Sequence, residues 1–192
     1  GLRDARNDSV NGNLGLGVDA LDSHTSGSNN IAIGNGVGKN LQEGDHNILI
    51  GAMRGSRQNW KAYENVAIGF GTGENLDSSA NYNVFVGHLS GNMNSVASSN
   101  VAVGHGSLQM NKTSNGNVAV GANALQSATK GNNTAVGFYS LKFNTTGQSN
   151  VGLGFESLLN NSTGNSNVGL GQDALRANTT GYDNIAVGHG AM

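Results

Sequence analysis

A five-residue string, Asn–apolar–small–apolar–Gly, recurs eleven times along the chain. The copies begin at Asn13, Asn30, Asn47, Asn65, Asn83, Asn100, Asn117, Asn133, Asn150, Asn167 and Asn184. They are separated by 17, 17, 18, 18, 17, 17, 16, 17, 17 and 17 residues. Repeats of paired helices need about 33 residues or more, so a period of this length excludes them. It holds two short strands and two turns, which is one coil of a β-solenoid. The expected fold is therefore all-β: a parallel β-solenoid (β-roll) of about eleven 17-residue coils. Residues 13–192 form a single repeat array and residues 1–12 a lead-in. At a rise of ~4.8 Å per coil the array is about 50 Å long.

Two columns in the repeat are apolar and mostly β-branched. One runs through Leu14, Ile31, Ile48, Val66, Val84 and Val101, the other through Leu16, Ile33, Ile50, Ile68, Val86 and Val103. Two residues apart, they share one face of a strand, and both are assigned to the interior. The residue between them stays small or apolar (Gly15, Ala32, Ala67, Ala102, Ala119, with Leu49 and Phe85). It is assigned to the outside, as a close-packing surface between chains. A second ladder, Leu21, Leu108, Leu125, Leu141, Leu158 and Leu175, follows four residues after the closing Gly. Gly38, Gly55, Gly73 and Gly91 replace it in coils two to five, which predicts a change of cross-section near residue 100.

Asn and Gly mark the turns. The motif Asn (Asn30, Asn47, Asn65, Asn100, Asn117, Asn150 and Asn167 among them) tolerates left-handed backbone and, stacked, bonds the identical amide above and below. The closing glycines include Gly34, Gly51, Gly69, Gly104, Gly121, Gly154 and Gly171. A further set, Gly27, Gly44, Gly131, Gly147, Gly164 and Gly181, is expected to supply positive φ at a second turn. The chain has no Pro, as expected where every backbone N–H is needed between coils.

Composition narrows the function. Ten basic and twelve acidic residues give a formal charge of −2, which offers nucleic acid no electrostatic footprint. No run approaches the ~20 apolar residues of a membrane span, so no membrane insertion is expected. Nor is a signal peptide visible at the N-terminus. The chain stops at Met192 inside a repeat, which suggests a piece of something longer. Zero cysteine excludes disulfides and thiolate metal sites.

The strings Asn30–Ile31–Ala32–Ile33–Gly34–Asn35–Gly36–Val37 and Asn65–Val66–Ala67–Ile68–Gly69–Phe70–Gly71 resemble the head repeats of trimeric autotransporter adhesins. Residues 137–150 are similar to repeats of bacteriophage tail fibres. The resemblance covers roughly residues 13 to 192. It implies a left-handed parallel β-roll in a homotrimer packed side by side. It also implies attachment to a host surface receptor, a glycan or an outer-membrane protein. The 17-residue period departs from the adhesin repeat of about 14 residues and favours a virion tail fibre. The alternatives are a bacterial cell-surface adhesin head, a passive fibre spacer and, remotely, an ice-binding solenoid. A trimer also has a physical motive, since each coil carries few large apolar side chains against an ordering cost of about 1–2 kcal/mol per residue.

No catalytic constellation emerges, because the carboxylates are scattered and do not pair between coils; neither catalytic residues nor cofactors are expected. Glycine strings such as 34–38 and 69–73 are read as turns, since no helix pattern follows them. His88, His105 and His189 each follow a closing Gly and are weak metal candidates if that column meets a three-fold axis. The segment from Arg54 to Tyr63 sits in an 18-residue coil and holds the only Trp. Arg54, Arg57, Trp60, Lys61 and Tyr63, with Tyr82 nearby, are the receptor-contact candidates, or equally pack an interchain seam. Asn111, Asn144, Asn161 and Asn178 begin Asn–x–Ser/Thr strings that are read as turn chemistry and not as glycosylation sites.

Overall fold

The computed structural model describes residues 5–8, 11–51, 61–77 and 79–192. An antiparallel lead-in strand, β1 (Ala5–Asp8), pairs with β2 (Asn13–Leu16) at one edge of the sheet. Ten three-residue strands follow, one per repeat, from β3 (Ile31–Ile33) to β12 (Ile185–Val187). From β2 onward every strand pairs in parallel with its successor, without a slip of register: Leu14 opposes Ile31, Ile31 opposes Ile48, and so on to Val168 opposite Ile185. The chain is thus a parallel β-solenoid of about ten turns with no helix among the described residues.

Each coil has one strand, where the repeat length left room for two. The rest of the coil is a succession of tight turns that still stack. Leu21 N–H donates to the Val37 carbonyl at 3.1 Å, Ser23 to Lys39 at 2.9 Å and Leu141 to Ser157 at 3.0 Å. Backbone bonding between coils therefore extends well beyond the strands, and a Pro in the turn half would break it too.

The strand faces are the reverse of the sequence reading. The central residue of each strand is the interior one: Ala32, Leu49, Ala67, Phe85, Ala102, Ala119 and Ala135 are fully buried. The flanking β-branched columns face outward and stay half-exposed. The reason is the width of the coil. The opposite wall carries Leu108, Leu125, Leu141 and Leu158, also fully buried, and leaves space under the strand for a single small side chain. The small residues were therefore selected by the coil's own interior and not by a neighbouring chain.

The turn glycines differ from expectation as well. Gly27, Gly44, Gly131, Gly147, Gly164 and Gly181 do not have positive φ. Their constraint is close approach: a Cβ on Gly27, Gly44, Gly147 or Gly164 would collide with the carbonyl oxygen of the next coil. Positive φ falls instead on the closing glycines, at 122–136°, where a side chain is strained. It falls also on the residue before each motif Asn, at 54–63° for Asn29, His46, Glu64, Tyr82, Ser99, Asn132, Ser149, Ser166 and Asp183. The motif Asn itself is not left-handed.

Its role is the stacked amide ladder. Asn30 Oδ1 accepts from the backbone N–H of Asn47 at 2.9 Å and from its Nδ2 at 2.9 Å. Asn150 does the same for Asn167, at 2.9 and 3.2 Å. Asn150 Nδ2 also donates across its own coil to the Gly164 carbonyl at 2.8 Å. Apart from Asn117, whose Nδ2 lacks a partner, the buried amides satisfy one another, so each coil is pinned to the next in one register.

Candidate functional site

A regular solenoid presents columns to its surroundings in place of a cleft, and the strand face carries the largest of them. Two parallel rows run its length, Leu14 to Ile185 and Leu16 to Val187, apolar throughout except at Thr134. Strand pairing holds the rungs in register, and pleating turns both rows to the same side. Burial of the central Ala or Gly column leaves these rows no other orientation.

Next to them, just past the closing Gly, lies an exposed column of rings. Phe70 stacks on His88 with centroids 5.6 Å apart, and His88 on His105 at 5.1 Å. Phe138 and Phe155 stack at 5.6 Å further along. The intercoil rise alone produces these distances, because identical register places each ring above the last. His189 is exposed in the final coil, far from the other two in sequence. Among the described residues no group of three or more His, Asp or Glu side chains is placed to hold one metal ion.

Of the receptor-contact candidates, Arg54, Arg57 and Trp60 lie outside the described residues. The rest share neighbouring coils. Lys61 Nζ is 2.6 Å from Glu43 Oε2, and that hydrogen bond raises its pKa above the ordinary lysine value. Tyr63 donates its N–H to Asn81 Oδ1 at 2.8 Å. Tyr82 is 58% exposed and bonds the Tyr63 carbonyl through its N–H at 3.1 Å. Lys61 is thus tied to an acid on the preceding coil, and Tyr82 presents the more open ring.

The Asn–x–Ser/Thr strings hide a feature that turn chemistry alone did not suggest. Asn144 and Asn161 are fully buried. Asn161 Nδ2 donates to Asn144 Oδ1 at 3.1 Å, and Asn178 Nδ2 to Asn161 Oδ1 at 2.8 Å. Each also bonds the carbonyl three residues on, Gly147, Gly164 or Gly181. This is a second, shorter Asn ladder. Its signal was present as Asn at a fixed 17-residue spacing. The ion pairs Lys39–Asp19 at 2.9 Å and Arg176–Glu156 at 2.7 Å join neighbouring coils through exposed cations, where such pairs contribute little. No family model, curated protein or solved structure matches this chain.

Proposed function

We propose that the chain is a segment of a homotrimeric attachment fibre, with three solenoids packed side by side along their strand faces. The observation that supports this best is the double apolar row. Val, Ile and Leu at both outward strand positions over eleven repeats, broken only by Thr134, are a poor choice for a face kept in water. Polar residues would serve the strand equally well there. Completing the burial of these half-exposed side chains gains about 1 kcal/mol each, repeated at every coil. The interior supplies only one or two large apolar groups per coil, so this gain is of the kind a thin solenoid needs.

On this reading the fibre is structural and non-enzymatic, belongs to a virion tail and carries a surface recognised by a host. A bacterial surface adhesin uses the same physics and is separated from it by the genes on either side. The test is direct. Sedimentation of the intact chain is expected to give three times 19.5 kDa, and Val101→Lys with Val103→Lys is expected to return it to the monomer with its β signal retained. A folded wild-type monomer sinks the proposal. Adsorption of the purified segment to whole cells then separates an attachment segment from a passive spacer.

A further inference from the structure

The turn side of the coil carries a groove of about 520 Å³, lined by Met93, Met110, Lys112, Thr113, Ser127, Thr129 and Thr145. Its position follows from two sequence features. Met93, Met110, Ser127 and Phe143 occupy one column on successive coils, and Ser127 is a small residue between large ones. The coil that carries it, residues 117–132, is also the 16-residue one, a residue short in its second half. Volume and lining are those of a site for a small ligand.

Charge restricts the ligand. Between Asp77 and Glu156 the chain has no acidic residue, whereas Lys112, Lys130 and Lys142 all fall there. The remaining residues hold all twelve acids against seven cations. Lys112 stands on the groove, and its carbonyl is held by the N–H groups of Ser95 and Val96, both at 3.1 Å. Lys130 is the exposed residue next to Thr129. The wall offers hydroxyls with fixed donors. Thr129 Oγ1 donates to the Thr145 carbonyl at 2.7 Å and Thr145 Oγ1 to Ser162 at 2.9 Å, which leaves the lone pairs of both oxygens to accept from a ligand's O–H groups. Met93 and Met110 supply an apolar surface for C–H groups.

We propose that this groove binds one acidic sugar unit of a surface polysaccharide. The carboxylate meets Lys112, the ring hydroxyls meet Thr129 and Thr145, and the apolar face or an acyl substituent rests on Met110. The proposal rests on the attachment reading and assigns it a ligand class. It also moves recognition from the Arg54–Tyr63 segment to the acid-free coils.

Calorimetric titration of the full chain with N-acetylneuraminic acid, glucuronic acid and neutral N-acetylglucosamine tests it. An acidic sugar is expected to saturate while the neutral one does not, with affinity falling as salt rises. Lys112→Gln is expected to weaken binding about tenfold or more, and Ser127→Phe, which fills the notch, to abolish it. Lys39→Gln, far along the array, is expected to change nothing. Equal binding of the neutral sugar, no saturation by either acid, or an unaffected Lys112→Gln overturns the proposal. Sedimentation and cell adsorption on the same samples keep the two readings apart. A trimer that adsorbs equally well with Lys112→Gln removes the groove and leaves the fibre; a monomer that never adsorbs removes the fibre itself.

Discussion

Coils two to five and the coils after residue 100 fill the same interior from different walls. In the later coils the large buried group is the Leu four residues past the closing Gly: Leu108, Leu125, Leu141, Leu158 and Leu175. In the earlier ones that position is Gly at 38, 73 and 91, and the bulk comes from elsewhere. Leu41 and Leu76 project from the turn, and Leu49 and Phe85 from the strand. The order alternates, turn, strand, turn, strand, on successive coils. The strand register passes through residue 100 without a break, so the expected change of cross-section is a redistribution of volume. The interior takes one large side chain in most coils, with Val37 added beside Leu41 in the second, and its source is free.

The two solutions have different costs. The later leucines sit at φ 48–53°, a conformation that costs a side chain roughly 1–2 kcal/mol. The glycines of the earlier coils avoid that strain but leave space. Phe85 uses it: a Cβ on Gly91 would lie 2.7 Å from the Phe85 ring. The largest expected effect therefore comes from interchanging the two arrangements. Phe85→Ala alone is expected to cost about 3–5 kcal/mol, and Gly91→Leu alone to be severely destabilising through its clash. Together they convert the coil to the later type and recover most of the loss. Denaturant midpoints of the two singles and the double measure the coupling; additive losses would show that the two walls do not share one volume.

This exchange also explains what was legible in advance. Period, parallel stacking, the motif Asn ladder and the Leu ladder are periodic, and periodicity survives without knowledge of the fold. The inward face was misassigned because size was taken as the sign of burial. Ile31 and Ile33 are larger than Ala32, yet only Ala32 fits a coil this narrow. The better signal was the constancy of Ala and Gly at the strand centre, broken only at Leu49 and Phe85, where the Leu of the second ladder gives way to Gly. The left-handed residue before each motif Asn was illegible for another reason. Tyr82, Glu64 and His46 occupy it, and stacking bonds impose the conformation against residue preference. The groove at Ser127 was hidden because it depends on which columns neighbour each other around a coil.

With the large group moved to the wall behind the strand, the later coils free a buried position for the second Asn ladder, and the earlier coils place Leu41 or Leu76 there. Asn161 serves both neighbours, while Asn94, at the same position in the earlier type, leaves its buried Nδ2 without a partner. Asn161→Ala is expected to cost about 2–3 kcal/mol, since it leaves Asn144 and Asn178 each short of a buried bond. Asn94→Ala is expected to cost about 1 kcal/mol or less, because only its bond to the Ala97 N–H, at 3.2 Å, is lost. Equal costs in thermal or chemical unfolding would mean that the ladder adds nothing beyond its single rungs.

The smallest effect concerns the 16-residue coil between the two halves of this comparison. In most 17-residue coils the motif Asn bonds the carbonyl fourteen residues on, as Asn83 does with Ala97 at 2.9 Å and Asn133 with Gly147 at 3.0 Å; Asn100 bonds Asn83 Oδ1 and the Ser98 carbonyl in its place. Asn117 begins the short coil, and its Nδ2 is buried without a partner. Gly131 stands fourteen residues on, but one residue and not two separates it from the next motif Asn, so the turn closes early and the Gly131 carbonyl accepts from Asn133 Nδ2, at 3.3 Å. Inserting one Gly between Gly131 and Asn132 restores the count and is expected to stabilise the fold by about 1 kcal/mol. Slower amide exchange at Asn117 and Asn133 would locate the gain in the restored turn. Faster exchange there would mean that the coil is built around sixteen residues and that the unpaired amide has another cause.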